Sequence, residues 1–117
     1  MNSQFLATFV IVLALTGCAN DPAPTEQVLL TEKAIAQARA VGADAQLPEM
    51  KMAEAKLALT QKNMGEHDYK RARILAEQAE LDARLAEAKV LTNKSQTQLL
   101  ELTARIKSLR KQLGDMQ

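Results

Sequence analysis

The chain has 117 residues, which is the size of one small domain. With 15 Lys and Arg residues against 14 Asp and Glu residues it is nearly neutral, and this balance excludes a strongly basic surface for nucleic acid. Aromatic residues make up only 3% of the sequence and Trp is absent, so the core must be thin and the composition suits an enzyme with a deep pocket poorly.

The chain begins with an apolar segment that leads to its only cysteine. Residues 5–15 are uncharged and apolar, Thr16 and Gly17 are small, and Cys18 follows them. This run is shorter than the roughly 20 apolar residues that span a bilayer, but it suits the hydrophobic part of a signal peptide. The stretch Leu15-Thr16-Gly17-Cys18 resembles the lipobox of bacterial lipoproteins. A plain signal peptide with an unrelated thiol is the alternative.

The resemblance to lipoproteins implies a modification of Cys18. In that family the thiol receives a diacylglyceryl group, cleavage precedes the cysteine, and the new amino terminus is acylated with a fatty acid such as palmitate. We therefore predict a signal peptide over residues 1–17 and a lipidated, Pro-rich tether over residues 18–25, with no cofactor besides the covalent lipid. In that family an Asp directly after the cysteine favours the inner membrane, whereas this chain has Ala19. We expect the periplasmic face of a Gram-negative outer membrane rather than the inner membrane.

Three helices are predicted after the tether. Abundant Ala and sparse β-branched residues favour helices over strands, and Gly and Pro residues divide the sequence into three segments. They cover residues 26–41 and 48–64, with a third beginning at residue 69 and running to about Gly114. Thr25 and Asp68 are the predicted N-caps, and Pro48 suits the first position of the second helix. Gly42 and Gly65 are the predicted stops. We expect an all-α fold: a short antiparallel three-helix bundle with a long, partly projecting, coiled-coil-like C-terminal helix.

The third helix carries a heptad pattern with alternating spacings of four and three residues. Its members are Ile74, Gln78, Leu81, Leu85, Ala88, Thr92, Ser95, Leu99, Leu102, Ile106, Leu109 and Leu113. We expect the first apolar block, 74–91, to pack onto the first two helices and to complete a helical domain over residues 26–93. The second block lies in a C-terminal extension, 94–117, which either folds back, pairs antiparallel or meets another molecule.

Other apolar stripes predict the faces that meet inside the bundle. They are Val28, Ile35 and Ala38 on the first helix, Met50, Ala53, Leu57, Thr60 and Met64 on the second, and Ala72, Ala76, Ala79, Ala83 and Ala86 on the third. Methionine rows at helical spacing usually fill gaps in a core. The alanine row allows helix axes to approach closely.

Residues 35–89 resemble the alanine-rich envelope-lipoprotein family catalogued as domain of unknown function 4398. The resemblance rests on the order and spacing of short motifs. These motifs are Ala38 with Gly42-Ala43, Pro48 followed by Ala53 and Leu57, the turn from Gly65 to Tyr69, and Leu75-Ala76-Glu77-Gln78-Ala79. It implies a helical periplasmic domain without an established activity.

No motif predicts catalysis or a metal site. His67 is the only histidine, and no second His or Cys can join it. The carboxylates alternate with Lys and Arg at helical spacing, as in Glu66–Lys70 and Glu80–Arg84, which is typical of a solvated face. We therefore expect a non-enzymatic protein.

Two functions remain, and each uses a different part of the extension. The first is a structural or adaptor lipoprotein whose apolar seam meets an envelope protein or a second copy of the chain. This seam is Leu99, Leu102, Ile106, Leu109 and Leu113. The second is noncovalent contact with peptidoglycan through the basic residues Lys94, Arg105, Lys107, Arg110 and Lys111. The chain ends Gly114-Asp115-Met116-Gln117. We expect no covalent link of the murein-lipoprotein kind, because that family uses a C-terminal Lys.

Overall fold

The computed structural model describes residues 21–115, and the predicted signal peptide, the lipobox and Cys18 lie outside this range. Its three helices are α1 (Thr25–Ala40), α2 (Pro48–Gly65) and α3 (Tyr69–Gly114). The long α3 packs against both α1 and α2, which touch each other less. The predicted all-α architecture, with three helices and an extended C-terminal helix, is confirmed.

The helix boundaries follow from local chemistry. Gly42 adopts φ 101°, a left-handed conformation that glycine tolerates, and it ends α1. Pro48 opens α2, where its missing N–H costs no intrahelical hydrogen bond. The Asp68 carboxylate accepts a 3.1 Å hydrogen bond from the backbone N–H of Arg71 at the start of α3. The predicted cap at Thr25 is wrong, because Pro24 holds the cap position and Thr25 is already helical.

The core lies along one face of α3. Five alanines of this face are fully buried: Ala72, Ala76, Ala79, Ala83 and Ala86. Because an alanine side chain ends at Cβ, two helices can approach this face closely at once. Ile35 and Ala38 of α1 and Met50 and Ala53 of α2 fill the space against it. The predicted alanine contact is confirmed.

The leucine pattern of the same helix segment is not buried, contrary to the sequence prediction. Ile74, Leu81 and Leu85 are 46%, 66% and 48% exposed, respectively. Successive residues of an α-helix are separated by about 100°, so Leu81 points about 160° away from Ala83. A helix can present only one of two opposite faces to the same pair of neighbours, and the alanine face allows the closer approach.

Beyond Lys94, α3 continues without a packing partner among residues 21–115. Every residue from 91 to 115 is exposed. The extension therefore projects and does not fold back. None of the helices within residues 21–115 combines the length and the hydropathy that crossing a membrane requires.

Candidate functional site

The most prominent surface feature is a row of large aliphatic side chains along the outer face of α3. We call this row the outer seam. Its members are Ile74, Leu81, Leu85, Leu99, Leu102, Ile106, Leu109 and Leu113, and each is between 46% and 66% exposed. At 1.5 Å per residue the seam is about 59 Å long. From the sequence, only the last five of these residues are predicted to contact another molecule.

The proximal part of the outer seam was missed because both patterns of α3 look like a core face. Alanines and leucines recur there at helical spacing, and periodicity alone does not say which face is covered. The size of the side chains distinguishes the alanine pattern from the leucine pattern. A helix that contacts two neighbours along its whole length requires small residues at every contact, and only the alanine row meets this condition.

Polar contacts hold α1 and α2 against the alanine side of α3. Gln27 Nε2 donates to Glu80 Oε2 over 2.6 Å, and Gln37 Nε2 donates to Glu87 Oε1 over 2.8 Å, so both bonds join α1 to α3. An ion pair between Lys56 Nζ and Asp82 Oδ2, 2.6 Å apart, joins α2 to α3. These bonds flank the alanine row. These bonds therefore hold α1 and α2 on the alanine side of α3, and the outer seam faces away from both helices.

Three polar side chains outside the predicted apolar stripes are buried: Thr31, Asn63 and Glu49. Thr31 is completely buried, and its hydroxyl lies 2.9 Å from the carbonyl oxygens of both Gln27 and Ala76. Asn63 donates a 2.7 Å hydrogen bond from Nδ2 to the carbonyl oxygen of Leu59. Thr31 and Asn63 thus place their donor groups on helix carbonyls, which is why a core of small residues tolerates them.

One acidic residue of the bundle has a shifted pKa. Glu49, at the start of α2, is 7% exposed and forms an ion pair with Lys89 of α3. The hydrogen bond from Lys89 is the main reason why the pKa of Glu49 lies below its ordinary value of 4.5. Burial opposes this shift, because it disfavours the charged carboxylate. The pair fastens the beginning of α2 to α3.

The predicted cationic residues occupy different environments. Lys94 Nζ donates a 2.7 Å hydrogen bond to the carbonyl oxygen of Val41, just past the end of α1. This bond satisfies a terminal carbonyl and places a positive charge where the helix dipole favours one. The other four cations, Arg105, Lys107, Arg110 and Lys111, are exposed on the projecting part of α3. At about 100° per residue, Lys107, Arg110 and Lys111 lie within one sector of about 100°, and Arg105 lies outside it.

The turn between α2 and α3 contains the histidine and the only tyrosine. His67 adopts φ 61°, and its Nδ1 lies 2.8 Å from the hydroxyl of Tyr69. The two rings meet edge to face, with centroids 5.7 Å apart. Across residues 21–115, no three His, Cys, Asp or Glu side chains are grouped so that they could hold a metal ion.

Comparison with known proteins decides the family. The family model of the domain of unknown function DUF4398 matches residues 26–102, which is more than half of the chain. This chain belongs to the DUF4398 family. The matched region contains the whole bundle and the first two distal residues of the outer seam, Leu99 and Leu102.

A solved structure supports the same assignment. The chain is 58% identical to a DUF4398 family protein, PA2901 from Pseudomonas aeruginosa PAO1, whose crystal structure it matches with a TM-score of 0.79. The match covers 82% of this chain and 100% of the other. No curated protein matches this DUF4398 protein.

Proposed function

We propose that this DUF4398 protein is a non-enzymatic cell-envelope lipoprotein that acts as a structural or adaptor protein. An acylated Cys18 anchors it to the periplasmic face of the outer membrane, and α3 makes helix-mediated contacts with another protein. The observation that carries the proposal is the outer seam. Exposed large aliphatic side chains aligned in this way are rare on monomers and usually mark an interaction site.

The anchor is supported by the lipobox that ends at Cys18 and by the short tether behind it. Mass spectrometry of the membrane fraction is expected to find an acylated N-terminal peptide that starts at Cys18. The Cys18→Ala variant is expected to leave the membrane fraction or to retain its signal peptide. An unmodified peptide that runs continuously across Gly17 and Cys18 would contradict the anchor.

The adaptor role is tested by placing charge in the outer seam. The double variant Leu102→Asp, Ile106→Asp is expected to abolish crosslinks to the protein partner, while moderate salt has little effect. Leu100→Asp is the matched control, because Leu100 is 73% exposed but lies off the seam. Equal loss of crosslinks in the control and the seam variant would contradict a role for the seam.

A second candidate function is noncovalent contact with peptidoglycan. It is favoured by the charge of residues 94–117, which contain five Lys and Arg residues and two acidic ones, a local excess of +3. If this function holds, neutralising Arg105, Lys107, Arg110 and Lys111 abolishes sedimentation with murein sacculi, and moderate salt has the same effect. The regular spacing of the outer seam and the modest size of this charge excess make the adaptor role the stronger proposal.

A further inference from the structure

We propose that the partner of the outer seam is a second copy of this chain, paired antiparallel in a two-stranded coiled coil whose two-fold axis crosses the seam face of α3 between Ser95 and Leu99, at the level of residue 97. This inference names the partner of the proposed adaptor contact and rests on that contact, but it does not depend on the lipid anchor.

Charge disfavours the parallel direction. In a parallel coiled coil, the residue before each a position faces the partner residue five positions further along. The outer seam then brings Glu77 against Asp82, Arg84 against Lys89 and Arg105 against Arg110. All three pairs repel. An antiparallel pair has different neighbours, because e positions then face e positions and g positions face g positions.

Among antiparallel registers, one centred on residue 97 brings the apolar residues together without like-charge pairs. In each layer of this coiled coil, a residue of one copy faces a residue of the other, and their two numbers add to 194. They are Leu81 with Leu113, Leu85 with Leu109, Ala88 with Ile106, Thr92 with Leu102, and Ser95 with Leu99. Each layer occurs twice, once on either side of the axis. Of the five seam residues beyond residue 94, all except Leu99 face an apolar or methyl-bearing side chain.

The charged residues beside the seam favour this register over the one with maximal overlap, in which the two seams face each other along their whole length from residue 74 to residue 113. Centred on residue 97, the pair brings Asp82 next to Arg110 of the second copy, which is attractive and occurs twice. Asp82 already accepts from Lys56 through Oδ2, and a carboxylate has room for a second donor. The register with maximal overlap joins residues whose numbers add to 187, and it places Arg84 beside Arg105 of the second copy. That contact also occurs twice, and both repel.

The area of contact reaches the lower limit for a specific interface. Residues 81–113 form a strip about 50 Å long, and a helix presents a face roughly 10 Å wide. This strip covers roughly 500 Å² on each chain and roughly 1,000 Å² in total, the size at which specific interfaces begin.

The bundle leaves the strip accessible. Leu81 and Leu85 lie on the face of α3 opposite the buried alanines, so α1 and α2 do not obstruct a second helix there. The projecting part of each α3 extends along the outer face of the other copy's bundle. One contact then covers every member of each outer seam except Ile74.

A distance measurement between spin labels tests direction and register together. The probe is a nitroxide on Lys111→Cys in the full chain, extracted in mild detergent, because residue 111 is exposed and points away from the seam. Centred on residue 97, the two labels are separated by 28 residues of rise, or about 42 Å along the helix axis, and by about 20 Å across the pair, so the expected distance is about 47 Å. A distance of about 56 Å reports the register with maximal overlap, and about 20 Å reports a parallel pair. Either of these values, or a monomer without a dipolar signal, overturns the proposal.

Two matched pairs of variants check the contacts. Leu102→Asp with Ile106→Asp is expected to remove the signal at about 47 Å, whereas Leu100→Asp retains it. Arg110→Glu is expected to weaken dimerisation about three- to tenfold at low salt, since it replaces two attractive pairs by repulsive ones. Lys111→Glu makes the same charge change on the outer face and is expected to have no such effect. Equal weakening by both charge variants contradicts the register.

The unmodified chain keeps this test separate from the proposed function. It contains only Cys18, so it takes up no label if that thiol is acylated. Labelling of the unmodified chain overturns the lipid anchor, and the dimer is then measured in the Cys18→Ser background. Capture of a different envelope protein by the seam, with no dimer, overturns this inference and leaves the adaptor role intact.

Discussion

Two parts of the same helix behave differently in this protein. Up to about residue 90, α3 has an alanine face that is fully buried and a leucine face that is exposed. From residue 91 onwards every residue is exposed, although the leucine face continues. The alanine row ends at Ala86 and is followed at helical spacing by Val90, Asn93 and Thr97. Small residues therefore decide where α1 and α2 pack, and the leucines belong to a separate contact.

The largest expected effect comes from enlarging a residue of the alanine face. Ala79 is completely buried, so Ala79→Leu forces α1 or α2 away from α3. We expect a loss of about 3 kcal/mol in the free energy of unfolding, measured by chemical denaturation. The control is Ala104→Leu on the exposed part of α3, which is expected to change stability little. Similar behaviour of the two variants would erase the difference between the two parts of the helix.

A smaller effect is expected from the buried hydroxyl that joins α1 to α3. Thr31→Val keeps the shape of the side chain but removes the hydrogen bonds to the carbonyl oxygens of Gln27 and Ala76. We expect a loss of about 1 kcal/mol in the free energy of unfolding. Thr103→Val, which removes a bond to the Leu99 carbonyl oxygen in the projecting part, is the control. A neutral Thr31→Val would show that the hydroxyl does not stabilise the bundle.

The Glu49–Lys89 pair makes the stability of the bundle depend on pH. Because the folded protein lowers the pKa of Glu49, the carboxylate contributes stability above its ordinary pKa of 4.5. This contribution is lost as the pH falls through the lowered pKa. Melting temperatures measured across this range are expected to fall with acidification, and less steeply for Glu49→Gln. Parallel curves for the two proteins would contradict the shift.

The smallest effect is expected for the outer seam itself. Leu81 is 66% exposed, so Leu81→Ala removes little buried surface from the monomer. We expect a change below about 0.5 kcal/mol in the free energy of unfolding at protein concentrations that keep the chain monomeric. A loss of 2 kcal/mol or more, of the size seen for buried leucines, would return Leu81 to the core of the bundle.

The local elements were predictable because their signals are local. Gly42, Pro48 and Asp68 act through the conformation or hydrogen bonding of their own backbone neighbours, so their roles do not depend on distant residues. Thr25 was assigned wrongly because Pro24 also suits a helix start, and the two differ by a single position. Lys94 was predicted only as a surface cation. Its bond to Val41 joins residues 53 positions apart, and no sequence spacing indicates such a contact.

By itself the sequence determined the helix content, the positions of the two turns and the presence of two apolar patterns on α3. These depend on propensities and periodicities that act within a few residues. Only the tertiary structure decided which pattern is buried, because burial depends on where α1 and α2 lie around α3. Their close approach selects the alanines, since five side chains that end at Cβ admit two neighbouring helices at once. The leucines are then left on the outer face, and this choice creates the outer seam.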